Sequence, residues 1–326
     1  MSEDFKPPIA FDRVLDEPGL VRRLIEANGP YYPVQRYFTN AAQYRALSGS
    51  GARAMMIAPN FRGDWAYDRP LIDGIDPLFQ HAGFREAAAK LFDAEIVEPF
   101  SLYANITWQL PFDQGGGHTD VPEFRGIDRT KYPTTLLSVM GHSRLFEPER
   151  ISIATAVAWF YEGCDGGFMY WPDGPDAPPR VHEGQIFNTA LEADNERMYH
   201  RVRPVGERRG GIQTGMTLET RLEHRGDERW AIVDGERTLA ETTWSSLRIS
   251  VSWKARVFAN ARDLDLYRNH DADLTIEEVF DRFYGDLARR GVEFSRPVDP
   301  VEDEALMDVL AATYIRQPSV FDPVAS

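Results

Sequence analysis

Apolar positions along the chain fall into three regimes. Up to about residue 95 they recur at helical spacing: Leu20, Val21, Leu24 and Ile25 form one stripe that stops at Asn28-Gly29, and Leu78, Phe79, Ala82, Phe84, Ala88 and Leu91 form a second over 76–92. From about 94 to 258 short β-rich runs take over, each bounded by Gly, Pro, Asp or Asn: 103–110, 134–139, 153–161, 167–171, 185–188, 198–205 and 247–258. Between 206 and 246 lie three further strand candidates, 216–222, 230–233 and 238–244, the last two joined by the hairpin signal Asp234-Gly235. Helical spacing returns after 258, where Thr275 and Glu278 read as a capping box opening a helix to about Arg290, and 302–314 reads as another. The pattern predicts a mainly β sandwich or barrel with a mainly helical extension over 1–95 and a helical extension over 259–326 packed on it.

Composition narrows the chemistry. The chain has 326 residues, 43% hydrophobic and 27% charged, as expected of a protein with a full core. Thirty-six basic against 51 acidic side chains give a net charge of −15, which disfavours a nucleic-acid or anionic-membrane partner because both demand a basic surface. Nothing resembling a signal peptide opens the sequence, and no apolar run approaches the roughly 18 residues of a membrane span, so a soluble, cytoplasmic protein is expected. Cys164 is the sole cysteine, so an intramolecular disulfide and a cysteine zinc cage are both excluded, and any metal must be held by His and carboxylates. With 32 Arg against four Lys, an arginine is informative only through its position.

The segment 110–122, Leu-Pro-Phe-Asp-Gln-Gly-Gly-Gly-His-Thr-Asp-Val-Pro, carries the strongest chemical signal. If 117–121 is extended, His118 and Asp120 project to one face and offer half of a chelate, although a surface turn after Gly-Gly-Gly explains the pair equally well. His200 is the candidate third ligand, because it lies in the β-capable run Met198-Tyr-His-Arg-Val-Arg-Pro-Val. His81, His142, His182, His224 and His270 occupy helix or turn contexts suited to structural roles, and Cys164 reads as an incidental turn residue. Two imidazoles and one carboxylate on one side of an ion are the facial triad of non-haem Fe(II) oxygenases.

His118-Thr-Asp120, then Gly166-Gly167 before a short strand, then Gly184-Gln-Ile-Phe-Asn, then His200-Arg-Val-Arg-Pro-Val together resemble the Fe(II)- and 2-oxoglutarate-dependent dioxygenase superfamily over roughly residues 100–258. The resemblance implies a double-stranded β-helix (jelly-roll, cupin-like) core over 96–258, with iron held by His118, Asp120 and His200, and with 2-oxoglutarate and O2 as co-substrates. It implies oxidation of a C–H bond of a small organic metabolite, by hydroxylation, desaturation or ring closure, with release of succinate and CO2. Halogenation is disfavoured, since Asp120 fills the position that halogenases of the superfamily vacate. The family anchors the far carboxylate of 2-oxoglutarate with Arg-X-Ser shortly after the second His. Arg208 and Arg209 have nearly the right spacing but lack the serine, whereas Arg248-Ile-Ser250 has the pattern 48 residues after His200. Strand alternation favours the latter, because Arg248, Ser250 and Ser252 share one face. Residues 206–246 then become a hairpin insertion that covers the site or mediates homo-oligomerisation. Asn105 and Gln109, facing away from Ile106 and Trp108, are further co-substrate candidates. Two alternatives stay open: a cupin-type iron dioxygenase or oxidase that does not use 2-oxoglutarate, and a non-catalytic jelly-roll binding protein.

Overall fold

A computed structural model describes residues 5–37, 57–112, 115–163, 165–206 and 213–323. Its fourteen strands among these residues are β1 (Ile9–Phe11), β2 (Tyr32–Pro33), β3 (Asn60–Tyr67), β4 (Ile96–Thr107), β5 (Glu123–Phe124), β6 (Arg150–Trp159), β7 (Phe168–Trp171), β8 (Arg180–His182), β9 (Thr189–Ala193), β10 (Tyr199–Val202), β11 (Arg221–His224), β12 (Arg229–Asp234), β13 (Arg237–Thr243) and β14 (Arg248–Phe258). The large sheet has the order β1-β9-β6-β14-β4-β3-β2, with β5 pairing β6; β10-β7-β8 form a second sheet and β11-β12-β13 a third. Every named pairing is antiparallel.

β14 occupies the centre of the large sheet, hydrogen-bonded to β4 on one side and β6 on the other. Its alternation separates two environments. Ile249, Val251, Trp253 and Ala255 are fully buried in the main apolar cluster, under the helix Ala82–Phe92, which lies across β4, β6, β9 and β14. Trp253 packs against Phe84 with ring centroids 5.5 Å apart and donates its indole N–H to Phe79 O at 3.0 Å, satisfying the one polar atom that such burial would otherwise strand. Arg248, Ser250, Ser252 and Lys254 project from the opposite face.

Several elements differ from the periodicity reading. Residues 134–139, expected as a strand, begin the helix Thr134–Ser143. A short apolar run does not by itself distinguish the two, and Leu136, Leu137, Val139 and Met140 are buried around most of the helix, in a second cluster with Phe280, Phe283, Leu306 and Leu310. Those partners belong to the helices Ile276–Arg290 and Glu304–Tyr314, the first opened by the expected Thr275–Glu278 capping box. The stripe over 76–92 is two helices, Asp76–Phe79 and Ala82–Phe92, separated because His81 caps the second by accepting from Phe84 N at 3.1 Å. Residues 185–188 form a turn, with Asn188 at φ 60°, and the strand starts at Thr189. The candidate 216–222 becomes a strand only from Arg221. The segment before residue 96, expected to be mainly helical, also contributes β1, β2 and β3 to the large sheet. β3 was concealed by Gly63, where a Cβ would run into the ring of Tyr31. Among the described residues no helix is long and apolar enough to cross a membrane.

Glu192, opposite Ile9 of β1 and Ala156 of β6, is fully buried, and neither carboxyl oxygen has a hydrogen-bond partner among the described residues. Burial pushes its pKa up to about 9, against 4.5 in the unfolded chain. A raised carboxyl pKa contributes stability that is complete below the unfolded value and lost as pH rises towards the folded one. Glu192→Gln, neutral at every pH, is therefore expected to melt like the wild type near pH 5 and at a higher temperature than the wild type at pH 8. Melting curves at the two pH values check this, and an unchanged difference between them would contradict it.

Candidate metal centre

His118 and His200 are brought together by backbone. His118 N donates to His200 O at 3.0 Å and His200 N donates to His118 O at 2.9 Å, an antiparallel bridge that fixes the two imidazoles side by side with ring centroids 4.5 Å apart. Gly117 makes the approach possible: its φ is 96°, and a Cβ there would lie 3.1 Å from the Trp171 ring. Asp120 N donates to Asn195 O at 2.7 Å, which pins the other end of the segment. One ligand atom from each of His118, Asp120 and His200 lies within 4.8 Å of the others. A surface turn with scattered side chains is therefore not what the chain builds.

The protonation states suit a cation. His200 Nδ1 lies 3.0 Å from Met198 O; a carbonyl only accepts, so Nδ1 carries the proton and Nε2 presents its lone pair. That Nε2 is 3.6 Å from Asp120 Oδ1. Burial, with His200 and Lys254 nearby, pushes the His118 pKa down to about 3, and burial likewise lowers that of His200. Burial works against the Asp120 carboxylate, but Lys254 and the two imidazoles hold its pKa well below the usual carboxylate range. At neutral pH the cluster is two neutral imidazoles and one carboxylate, the form in which such groups bind metal. Asp120 retains 18% of its side-chain exposure, leaving the cluster open on one side.

At the other end of the polar face of β14, Arg248 is 2% exposed. Its Nε donates to Gly166 O at 2.7 Å and Nη1 to Ser250 Oγ at 3.4 Å, while Nη2 is buried without a hydrogen-bond partner among the described residues. The Tyr161 ring lies 5.5 Å from the guanidinium carbon. Asn105 pairs with Ser250 across the sheet and donates to Ser252 Oγ at 3.5 Å, so it joins the same face. Gln109, expected on that strand, lies beyond its end with φ 46°, close against Gly206. Arg208, Arg209 and Cys164 fall outside the described residues.

The remaining histidines have structural partners. His81 caps a helix, and His182 contacts Thr189 Oγ1 at 2.9 Å. His224 faces Asp227 O at 3.0 Å, and His270 pairs with Asp273 at 3.0 Å. His142 sits behind the ligand segment, 3.4 Å from Thr119 Oγ1 and 3.3 Å from Tyr199 OH.

No family model matches the chain, and no curated protein matches it. The solved structures similar to it include 2-oxoglutarate/Fe(II) oxygenases. One is an oxidoreductase of the 2OG-Fe(II) oxygenase family from Burkholderia pseudomallei, at 13% identity over 78% of this chain and 86% of that one, with a TM-score of 0.40. Another is the non-haem α-ketoglutarate-dependent epimerase SnoN from nogalamycin biosynthesis, at 14% identity over 78% and 77%, TM-score 0.38. A third is HygX from Streptomyces hygroscopicus with nickel, 2-oxoglutarate and hygromycin B bound, at 10% identity over 78% and 84%, TM-score 0.35.

Lys254 and Thr155, beside the candidate site, were not singled out in the sequence, and Gly166 figured only as part of the Gly166-Gly167 motif before β7. Lys254 touches Asp120, Thr155 donates to the same carboxylate at 3.3 Å, and Gly166 cradles Arg248. Lys254 had a signal available, since the alternation that selects Arg248, Ser250 and Ser252 reaches it next; Thr155 had none. Gly166 has φ 67°, and a Cβ there would sit 2.5 Å from Arg248 Cδ and 2.8 Å from Nε. Gly166→Ala is thus expected to displace the guanidinium and cost roughly 1–3 kcal/mol. Denaturant unfolding measures this, and a variant as stable as the wild type would mean that the cradle yields freely.

Proposed function

We propose that this chain is a non-haem Fe(II)- and 2-oxoglutarate-dependent oxygenase acting on a small organic molecule. The observation that carries the reading is a buried arginine with no carboxylate in salt-bridge reach among the described residues and only the Tyr161 side chain beside its Nη2 group, on the same strand face that leads to a His, Asp and His cluster. A buried cation without a counter-charge is costly, so the site is built to receive an acceptor there. A dicarboxylic co-substrate supplies one. A cupin-type oxidase without such a co-substrate would leave Arg248 uncompensated, which favours the first reading.

Strand connectivity supports a double-stranded β-helix. β4 lies in the large sheet, and the following segment joins the small one through the bridges Leu110–Val205 and His118–His200; β6 returns to the large sheet, β7 and β8 lie in the small, β9 in the large, β10 in the small and β14 in the large. A jelly roll requires such an alternation between two sheets, and this supports the reading. β11, β12 and β13 then form an insertion between the last two core strands, which accounts for the 48 residues separating His200 from Arg248.

The donor set, two imidazole nitrogens and one carboxylate oxygen, fits Fe(II) with positions left open for other ligands. Iron held by His118, Asp120 and His200 would supply oxidative chemistry towards a substrate C–H, with 2-oxoglutarate consumed to succinate and CO2. The chain's own contribution is orientation and exclusion. Met198 O keeps the His200 imidazole in one tautomer, and Phe168 packs 5.4 Å from that ring, shielding it. Arg248 would hold the far carboxylate of 2-oxoglutarate through a charge-assisted hydrogen bond, with Ser250 and Asn105 beside it on the same face. The wholly polar row Arg248, Ser250, Ser252 and Lys254 offers no apolar seat for a lipid-like co-substrate.

Succinate release from 2-oxoglutarate, measured aerobically with Fe(II) and candidate small-molecule substrates, tests the reading. The double variant His118→Ala, Asp120→Ala is expected to abolish it, and full turnover by that variant would overturn the metal assignment. Arg248→Ala is expected to weaken 2-oxoglutarate affinity by at least about tenfold while leaving metal uptake unchanged.

A further inference from the structure

Lys254 has no part in the reaction as described, yet it occupies a demanding position. It is one of four lysines in a chain with 32 arginines, and its side chain is only 14% exposed, on the inner face of the central strand. An ammonium placed there must be paired. Its Nζ lies 2.6 Å from Asp120 Oδ2, and Thr155, its cross-strand neighbour, donates to the same oxygen at 3.3 Å. The other oxygen, Oδ1, faces His200 Nε2 at 3.6 Å. The two carboxylate oxygens therefore have different surroundings: Oδ2 is taken by two donors from the large sheet, and Oδ1 points towards the imidazoles.

A carboxylate can ligate a metal through one oxygen or through both. We propose that Lys254 is a positioning residue that restricts Asp120 to ligation through Oδ1 and so preserves a coordination position for the co-substrate. The inference rests on the metal reading above. Three single-point protein donors would leave three positions on a six-coordinate ion, whereas a chelating carboxylate would leave two and, by donating through a second oxygen, weaken the ion's remaining attraction for an anionic co-substrate. The ammonium also opposes the metal's own charge, so its presence exchanges metal affinity for an open position. A lysine that merely filled space would behave differently, since its loss would loosen the site and weaken both ligands together.

The opposite signs make the test. Co(II) is titrated anaerobically into the full-length protein and followed by its visible absorption, and 2-oxoglutarate is then titrated into the Co(II)-loaded form. Lys254→Met is expected to bind Co(II) about tenfold more tightly and 2-oxoglutarate about tenfold more weakly than the wild type, magnitudes typical of changes beside a metal ligand. Lys254→Arg, which keeps the charge, is expected to stay near the wild type in both. Unchanged affinities in Lys254→Met, or a loss of both, would sink the inference. If that variant does not fold, Thr155→Val removes the other donor to Oδ2 and is expected to shift both affinities in the same directions; no shift there overturns the inference as well. A wild-type protein that takes up no stoichiometric Co(II) overturns the metal reading and this one with it, whereas wild-type binding of both ligands with an indifferent Lys254→Met overturns this one alone.

Discussion

Burial of β14 on both faces is the constraint on which the rest of the structure depends. A central strand covered on each side must satisfy two sets of side chains at once, and here the sets are opposite in character. The outward row Ile249, Val251, Trp253 and Ala255 is apolar and sits in the main cluster beneath a helix. The inward row Arg248, Ser250, Ser252 and Lys254 carries two cations in the interior, where an unpaired charge is costly. Lys254 is neutralised by Asp120. Arg248 has no carboxylate within salt-bridge reach among the described residues, so the two ends of one strand differ in how their buried charge is met.

Backbone geometry fixes the candidate metal ligands. The reciprocal hydrogen bonds between His118 and His200 tie a loop-like segment to β10, so the relative placement of the two imidazoles is set by main chain and does not depend on flexible side chains. Asp120 is then aimed from three directions: its own backbone bond to Asn195, Lys254 and Thr155 on one carboxylate oxygen, and the imidazoles near the other. Sites held in this way are organised before any ligand arrives, which limits the reorganisation that binding must drive.

Much of the candidate site was legible in the sequence because its spacings are local. His118 and Asp120 are two residues apart, and Arg248, Ser250 and Ser252 follow the alternation of a strand, so period-2 geometry places each set on one face without knowledge of the fold. The helix Ile276–Arg290 was equally legible, since its Thr275–Glu278 capping box lies within four residues. What escaped depended on distant neighbours. Residues 134–139 have the composition of a strand but are helical because Phe280, Phe283, Leu306 and Leu310 bury them. β3 is a strand whose pattern is broken by a glycine that only Tyr31, thirty-two residues earlier, explains. His81 looked like a mid-helix residue and instead caps a helix start.

By itself, then, the sequence determined the strand-rich centre and the helices after residue 258, the absence of any thiolate metal site, and the residues able to supply two imidazoles, a carboxylate and an arginine. Tertiary structure alone decided that His200 meets His118 across a backbone bridge, that Arg248 is buried with no carboxylate in reach among the described residues, and that Lys254 takes one oxygen of Asp120. The physical reason is range. Periodicity reports which face a side chain occupies on its own element, whereas the partner of a buried charge is chosen by the packing of elements 35 to 134 residues apart.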